Sequence, residues 1–169
     1  EALGEIGNSR AVEPLIGLLN DKDYFRNDYK DYLRITVVVA LGKIGDQQAI
    51  DPLLTLLGDA NPKIRMAALD AISQVGNVQV ITPVIEGLKD DAPEVRGTAA
   101  KILGNLGDRC AVEPLLKTLF DEDPDVRRMA ASALGKLGDI KALDYLLTAI
   151  DDKDPPVGLS AIVAVSQLS

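Results

Sequence analysis

Hydrophobic positions along the chain recur with the spacing of an α-helix and are interrupted at regular intervals by glycine, aspartate and proline. Within residues 62–75 the apolar side chains fall at i, i+4, i+7, i+8 and i+11: Ile64, Ala68, Ala71, Ile72 and Val75. That spacing places them on one face of a helix. Pro62 suits the first helical turn, and Gly76 suits the left-handed position that ends a helix. The pattern therefore predicts an amphipathic helix from Pro62 to the residue before Gly76.

A shorter helix is predicted before this one. Asp46 has a side chain typical of an N-cap, and Pro52 suits a first turn. The apolar run LLTLL follows and ends near Gly58, and the turn DANP at 59–62 leads into the longer helix. The unit of structure is therefore predicted to be a pair of helices.

This two-helix pattern repeats every 31 residues without a gap. The positions that return in register are a glycine, an aspartate and two prolines: Gly45, Gly76, Gly107 and Gly138; Asp59, Asp90, Asp121 and Asp152; Pro52, Pro83 and Pro114; Pro62, Pro93, Pro124 and Pro155. A pair of helices this short cannot bury its own apolar face, so neighbouring pairs must stack on one another. The predicted fold class is an all-α, right-handed α-solenoid (an α/α superhelix) of about nine helices with no sheet.

The repeat also predicts the domain organisation. We expect a single domain over 1–169 with partial units at both ends. Its full units are predicted at about 3–40, 41–71, 72–102, 103–133 and 134–164. Neither end carries the polar capping unit that solenoids need, so self-association through the ends is one expected contact.

The first full unit contains an insertion rich in aromatic residues. The motif LGEIG at 3–7 is followed by LGKIG at 41–45, a separation of 38 residues in place of 31, and the seven extra residues fall between Asp23 and Lys30. Four of the six aromatic residues lie within residues 23–34: Tyr24, Phe25, Tyr29 and Tyr32. Their helical spacing and the absence of Gly and Pro predict one continuous helix over 24–44, about two turns longer than its counterparts; an ordered loop is the alternative. The aromatics are expected either to anchor a partner or to cap the first unit.

The consensus LGxIGDxxAVxPLLxxLxDxxPxVRxxAAxAL resembles the HEAT-like repeat of phycobilisome lyase (PBS lyase) proteins, over essentially the whole chain. The resemblance implies that an aspartate and the arginine six residues later belong to a stacked structural ladder: Asp59 with Arg65, Asp90 with Arg96, and Asp121 with Arg127. Gly158 stands where the next arginine is expected, and Tyr145 stands where proline is expected. The last unit is therefore expected to be less tightly tied.

The same resemblance implies that the second helix of each repeat lines a concave face. Positions on that face that belong neither to the core nor to the ladder are the candidate partner-binding residues. Together with the four aromatics they are Ile35, Val39, Lys43, Met66, Asp70, Gln74, Lys101, Asn105, Arg128, Met129 and Lys136.

The net charge and the residue composition argue against several classes of function. The net charge of −8 repels phosphate backbones, which disfavours a nucleic-acid partner, and no apolar run approaches the roughly 20 residues that span a bilayer. The chain has no histidine, which excludes a Ser–His–Asp triad and a histidine metal site from this chain alone. Cys110 is the single cysteine and suits a reducing compartment, so a cytoplasmic location is expected. No catalytic, cofactor-binding or metal site is predicted.

These sequence features predict two candidate functions. The first is a non-catalytic scaffold that binds a protein or peptide on the concave face. The alternative, implied by the resemblance alone, is a subunit of a bilin (phycobilin) lyase or a chaperone-like handler of chromophore proteins.

Overall fold

The computed structural model describes residues 9–21, 29–76 and 80–168, and these contain ten α-helices and no strand. The helices are α1 Val12–Asn20, α2 Lys30–Ile44, α3 Ile50–Thr55, α4 Pro62–Val75, α5 Ile81–Gly87, α6 Pro93–Leu106, α7 Val112–Thr118, α8 Pro124–Leu137, α9 Leu143–Ala149 and α10 Pro155–Val165. Odd-numbered helices are the first helices of the repeats and even-numbered helices are the second helices. The all-α solenoid class predicted from the repeat is confirmed.

Helices α4, α6 and α8 begin and end where the sequence pattern places their boundaries. Proline occupies the first turn of α4, α6, α8 and α10. The Asp123 carboxylate caps α8 by accepting a hydrogen bond from the backbone N–H of Asp125 at 2.9 Å. At the other end, Gly107 and Gly138 have φ values of 72° and 65°, which only glycine adopts without strain. Proline at the start and a left-handed glycine at the end therefore fix both ends of α4, α6 and α8.

The chain forms two compact units, Glu1–Val80 and Ile81–Ser169, here called the N-terminal and C-terminal units. In the N-terminal unit α2 packs against α4, and in the C-terminal unit α6 packs against α8 and α8 against α10. The fully buried side chains are aliphatic; the largest are Leu41, Leu53, Ile64, Leu69, Ile72, Leu103, Leu115, Leu134 and Leu146. A single domain over 1–169 stays a prediction.

The second helix of the first repeat begins at Lys30, so the prediction of a continuous helix over 24–44 is wrong in its start. Tyr29 is the N-cap residue, with φ −98° and ψ 10°, and the helix has 15 residues against 14 in α4. Asn61 Nδ2 donates to Asp31 Oδ2 at 2.8 Å, which ties the first turn of α2 to the residue that caps α4. This tertiary contact places the start of α2 beside that of its neighbour. Residues 24 and 25 lie outside the described residues.

Buried arginines connect successive repeats in the C-terminal unit. Arg96 Nε and Nη2 donate to the two carboxylate oxygens of Asp121, at 2.8 and 2.7 Å. Its third nitrogen, Nη1, donates to the main-chain carbonyl of Asp90 at 2.9 Å. Within a repeat the arginine thus binds the carbonyl of the aspartate six residues earlier, and the carboxylate it binds belongs to the following repeat, 25 residues later.

Arg127 repeats this arrangement with Asp152. The two side chains share a bidentate contact at 2.8 and 2.9 Å, and Arg127 Nη1 donates to the carbonyl of Asp121 at 2.9 Å. Asp154 adds a further contact to Arg127 at 2.7 Å. The last repeat therefore receives its arginine contact through Asp152, even though Gly158 supplies no arginine to continue the series. A β-carbon at Gly158 would lie 2.5 Å from the Ile150 carbonyl oxygen, so this position has no room for any side chain.

The N-terminal unit holds the same kind of contact. Arg34 Nη2 donates to Asp59 Oδ2 at 2.6 Å, and Arg65 Nη1 donates to the Asp59 carbonyl at 2.8 Å. The side chains of Arg65, Arg96 and Arg127 are all buried. We call this series of arginines and aspartates the ladder.

The ladder perturbs the ionisation of its members. Burial alone would raise the pKa of Asp121, but hydrogen bonds from Arg96 and from the Asp123 N–H outweigh burial and hold that pKa below its usual value. The hydrogen bond from Arg127 lowers the pKa of Asp152, and burial opposes it. Hydrogen bonding to Asp121 raises the pKa of Arg96. Asp121, Asp152 and Arg96 are therefore charged near neutral pH.

The far ends of the second helices touch through glycine. A β-carbon at Gly104 in α6 would lie 2.7 Å from the Cα of Ala133 in α8, and Gly135 stands in the same relation to Ala164 of α10. Gly42 and Ala71 repeat this contact between α2 and α4. Such distances are too short for any real side chain, so glycine at these positions lets the helix backbones approach closely.

The ladder predicts how stability changes with pH. Because the folded-state pKa values of Asp121 and Asp152 are depressed, their contribution is fully present above the unfolded pKa, which is about 3.9, and is lost as pH falls through the folded values. We expect the free energy of unfolding, from urea titrations at pH 3 to 7, to fall below about pH 4. Asp121→Asn should flatten this fall, whereas Asp125→Asn, which changes an exposed carboxylate, should not. Equal profiles for the two variants would contradict the ladder's role.

Replacing glycine by alanine is expected to have opposite effects on the free energy of unfolding at two positions of α6. Gly104→Ala should destabilise the chain by about 1–3 kcal/mol, because the new methyl group meets the α8 backbone. Gly97→Ala should stabilise it by about 0.5–1 kcal/mol, since its β-carbon would lie 3.9 Å from the nearest neighbour, Met129 Cγ, and alanine is the better helix former. Urea unfolding measures both values, and the same sign for the two variants would show that the packing assignment is wrong.

Candidate functional site

The second-helix face of the C-terminal unit carries two grooves, one on each side of α8. The α6–α8 groove has a volume of about 480 Å³ and is lined by Pro93, Glu94, Gly97, Thr98, Lys101, Asp123, Asp125, Arg128 and Met129. The α8–α10 groove has a volume of about 230 Å³ and is lined by Ser132, Lys136, Leu159, Ser160, Val163, Ala164 and Gln167. Both lie on rigid helices, which hold their side chains at fixed positions.

The α6–α8 groove exists because Gly97 has no side chain. The equivalent positions of the other second helices carry Ile35, Met66, Arg128 and Leu159, which would fill such a space. At Gly97 the Met129 side chain is the nearest neighbour, 3.9 Å from where a β-carbon would stand. The floor of the groove is therefore open over α6 and is bounded on the α8 side by a methionine, a side chain that adapts to different ligands.

Charged side chains rim this groove. Arg128 forms an exposed ion pair with Asp125 at 3.1 Å, and the Asp123 carboxylate is used in capping α8. Glu94 and Lys101 lie seven residues apart on α6, about 10 Å along its axis. Their charged groups form no ion pair with any residue that the structure describes. One anionic and one cationic group are therefore free to bind a partner.

The α8–α10 groove differs in character. Leu159 and Val163 remain 64% and 56% exposed on its α10 side. Lys136 on the α8 side donates from Nζ to Asn105 Oδ1 at 2.7 Å. This groove therefore combines an apolar wall with one cationic side chain.

The structure divides the sequence-predicted partner residues into two groups. Lys101, Arg128, Met129 and Lys136 line the two grooves, and Asn105 is the hydrogen-bond partner of Lys136. The predicted residues of the N-terminal unit lie on the surfaces of α2 and α4, where Tyr29 and Tyr32 are 73% and 68% exposed. Lys43 and Gln74 are also exposed, Val39 is 38% exposed, and Ile35, Met66 and Asp70 are half-buried. Tyr24 and Phe25 lie outside the described residues.

Sequence reasoning missed residues that shape the grooves. Gly97, Leu159 and Val163 were not predicted to contact a partner. Alignment of the repeats contained the signal, because Gly97 is the only glycine among its equivalents and no ionisable residue follows Asp154. An edge-to-face pair of Phe120 and Tyr145, with ring centroids 6.4 Å apart, was also missed. It borders a separate cleft of about 320 Å³ beside Arg127 and Asp152.

The candidates for metal binding and thiol chemistry are the acidic side chains and Cys110. No cluster of three or more Cys, Asp or Glu side chains in that part of the chain is placed to hold a metal ion. Cys110 is exposed, and its hydrogen bond with Asp108 raises the pKa of the thiol and lowers the pKa of the carboxyl, so the thiol is protonated at neutral pH. Among the described helices, none combines the length and apolar content that crossing a bilayer requires.

Stacked pairs of helices define this molecule as a helical-repeat protein. The family profile of HEAT repeats matches residues 23–93 and 81–166, and the chain belongs to that family. A second profile, the PBS lyase HEAT-like repeat, matches residues 1–21. The family resemblance stated from the consensus is therefore confirmed. No curated protein matches the chain by sequence.

Solved structures share the fold at low sequence identity. The complex of CpcE and CpcF of phycocyanin lyase from Nostoc matches with a TM-score of 0.68 and 24% identity, over 93% of this chain and 99% of that one. A designed armadillo repeat protein in complex with the peptide (KR)4 matches with a TM-score of 0.68 and 20% identity, over 99% and 90%. Human deoxyhypusine hydroxylase matches with a TM-score of 0.56 and 22% identity, over 98% and 76%.

Proposed function

We propose that this chain is a scaffold that binds a segment of another protein on the second-helix face of its C-terminal unit. The observation that carries the proposal is the α6–α8 groove, whose floor is open at Gly97. Its volume of about 480 Å³ lies within the range of specific ligand sites. Its rims supply charged groups of both signs, which would fix the orientation of a bound segment.

A chain segment fits this surface better than a compact small molecule. The grooves are open and lie side by side, so side chains from one bound segment can enter both. The ladder and the glycine contacts hold the flanking helices at fixed separations, which lowers the entropic cost of binding.

The comparisons support the proposal at the level of fold. The designed armadillo repeat protein binds a peptide, and CpcE and CpcF form a complex of two proteins. Neither shares enough sequence with this chain to transfer a residue-level site. Partner contacts by Tyr29 and Tyr32 of the N-terminal unit are a further part of the proposal, supported by the exposure of both rings.

A second candidate is a role in handling bilin proteins, which the PBS lyase repeat profile over 1–21 and the phycocyanin lyase neighbour favour. Adding free phycocyanobilin to the chain and recording its visible absorption spectrum tests this candidate. A red shift and sharpening of the bilin band would support it, and an unchanged spectrum would count against direct bilin binding.

Filling the α6–α8 groove tests the scaffold proposal. Gly97→Met places in α6 the residue found at equivalent position 66 and should leave the fold intact, because methionine is a good helix former and the space is open. Peptides are first selected on the wild-type chain from a random 12-residue library displayed on phage. Calorimetry of the synthetic peptides should then show affinity reduced at least about tenfold by Gly97→Met.

Gly17→Met is the matched control, since Gly17 lies on α1 with nothing within 4 Å of its β-carbon position. This variant should bind the selected peptides as the wild type does. Tyr32→Ala in the same assay tests the aromatic contacts of the N-terminal unit. Failure to select any peptide, or equal affinities for wild type and Gly97→Met, would overturn the proposal for this groove.

A further inference from the structure

The α8–α10 groove has a charge opposite to that of the chain as a whole. The chain carries a net charge of −8, yet of the described residues that line this groove only Lys136 is ionisable. The described part of the α10 side contributes no charged side chain, because residues 155–168 contain no Asp, Glu, Lys or Arg. Lys136, whose ammonium lies beside Asn105 of α6, is therefore the one charged side chain among the described residues that line this groove.

The charge of Lys136 is not neutralised by its neighbour. Its hydrogen-bond partner is the side-chain oxygen of Asn105, at 2.7 Å, and an amide carries no charge. An ammonium group has three donors, so the bond to Asn105 holds the group in place and leaves donors available. A carboxylate arriving in the groove can therefore form a charge-assisted hydrogen bond without displacing Asn105.

The opposite wall is apolar and accessible. Leu159 and Val163 expose more than half of their surface, and the small side chains of Ser160 and Ala164 leave space between them. Covering Leu159 and Val163 would remove apolar surface from water at about 25 cal/mol per Å². One aliphatic side chain of a partner can make this contact while an adjacent acidic side chain reaches Lys136.

We propose that the α8–α10 groove recognises an acidic, aliphatic segment of a partner protein, with a carboxylate on Lys136 and a large aliphatic side chain against Leu159 and Val163. This inference rests on the proposed function and adds the chemistry of the partner. The argument for this partner is charge complementarity. A basic segment would be repelled by the positive charge of Lys136. A wholly apolar segment would cover the ammonium group without supplying a negative charge to it.

Two peptides that differ only in charge test this inference. Both are 12 residues long with blocked ends: four copies of Leu-Ser-Glu, and the same sequence with Gln in place of Glu. We expect the Glu peptide to bind the wild-type chain about 3- to 5-fold more tightly, as for a partly exposed ion pair. Calorimetry in 50 mM salt measures both, and the preference should shrink in 500 mM salt.

Variants assign the preference to the groove. Lys136→Met should abolish the difference between the peptides, and Lys136→Arg should keep it. Lys117→Met, which removes an exposed lysine of α7 that lines neither groove, should also keep it. Val163→Ser should weaken both peptides equally, because it changes only the apolar wall.

Three outcomes would overturn the inference: equal binding of the two peptides to wild type, a preference that survives in Lys136→Met, or no binding of either peptide. None of these is the outcome that overturns the scaffold proposal, which depends on library-selected peptides and Gly97. In a separate outcome, selected peptides bind Gly97→Met more weakly than wild type but bind Lys136→Met with unchanged affinity. That result would support the scaffold proposal and show that the partner has a different chemistry.

Discussion

The contact on which the repeat depends is the one between a buried arginine and two successive interhelical turns. Arg96 binds the Asp90 carbonyl of its own turn and the Asp121 carboxylate of the next, at separations of 6 and 25 residues. Together these separations equal the 31-residue repeat, so an insertion or deletion between the two turns would put the aspartate out of reach. The Asp121 carboxylate also accepts a hydrogen bond from the backbone N–H of Asp123 at 2.9 Å, which stabilises the turn that contains both residues. One side-chain pair therefore sets both the turn and the spacing.

The second helices are held at both ends by different means. The ladder lies at their N-terminal ends, and the glycine–alanine contacts, such as Gly104 with Ala133, lie towards their C-terminal ends. The exposed positions between these attachments take no part in either contact. Gly97, Arg128 and Leu159 occupy equivalent positions there and share no chemistry, which gives the two grooves different shapes and charges. Structural constraint and partner recognition are thus assigned to separate residues on the same helices.

The sequence predicted correctly those features that return in every repeat and that depend on residues close together in the chain. The glycine stops, the prolines of the first turns and the conserved spacing of aspartate and arginine all return at a fixed interval, so each repeat supports the interpretation of the others. The start of α2 was predicted wrongly because helical spacing of aromatics cannot decide between Tyr24 and Lys30 as the first residue. The structure adds a contact that the spacing does not reveal, between Asp31 in the first turn of α2 and Asn61, 30 residues later in the chain.

The grooves were predicted in part for a related reason. Lys101, Arg128, Met129 and Lys136 could be assigned to an exposed face from helical periodicity alone. The α6–α8 groove is deep because Gly97 of α6 has no side chain, while Met129 of α8 bounds the groove on the other side. The pairing of Phe120 with Tyr145 likewise depends on two separate elements. Features that arise between helices require coordinates, or an explicit alignment of the repeats against one another.

The central claim is that the arginine–aspartate pair couples neighbouring repeats, and a double-mutant cycle measures that coupling directly. Urea unfolding of wild type, Arg96→Ala, Asp121→Ala and the double variant should give a coupling energy of about 1–3 kcal/mol, because both side chains are about nine-tenths buried and the contact is bidentate. The exposed pair Arg128 and Asp125 provides the reference cycle and should give about 0.5 kcal/mol or less. Additive effects of the Arg96 and Asp121 substitutions, with coupling no larger than that of the reference pair, would contradict the account.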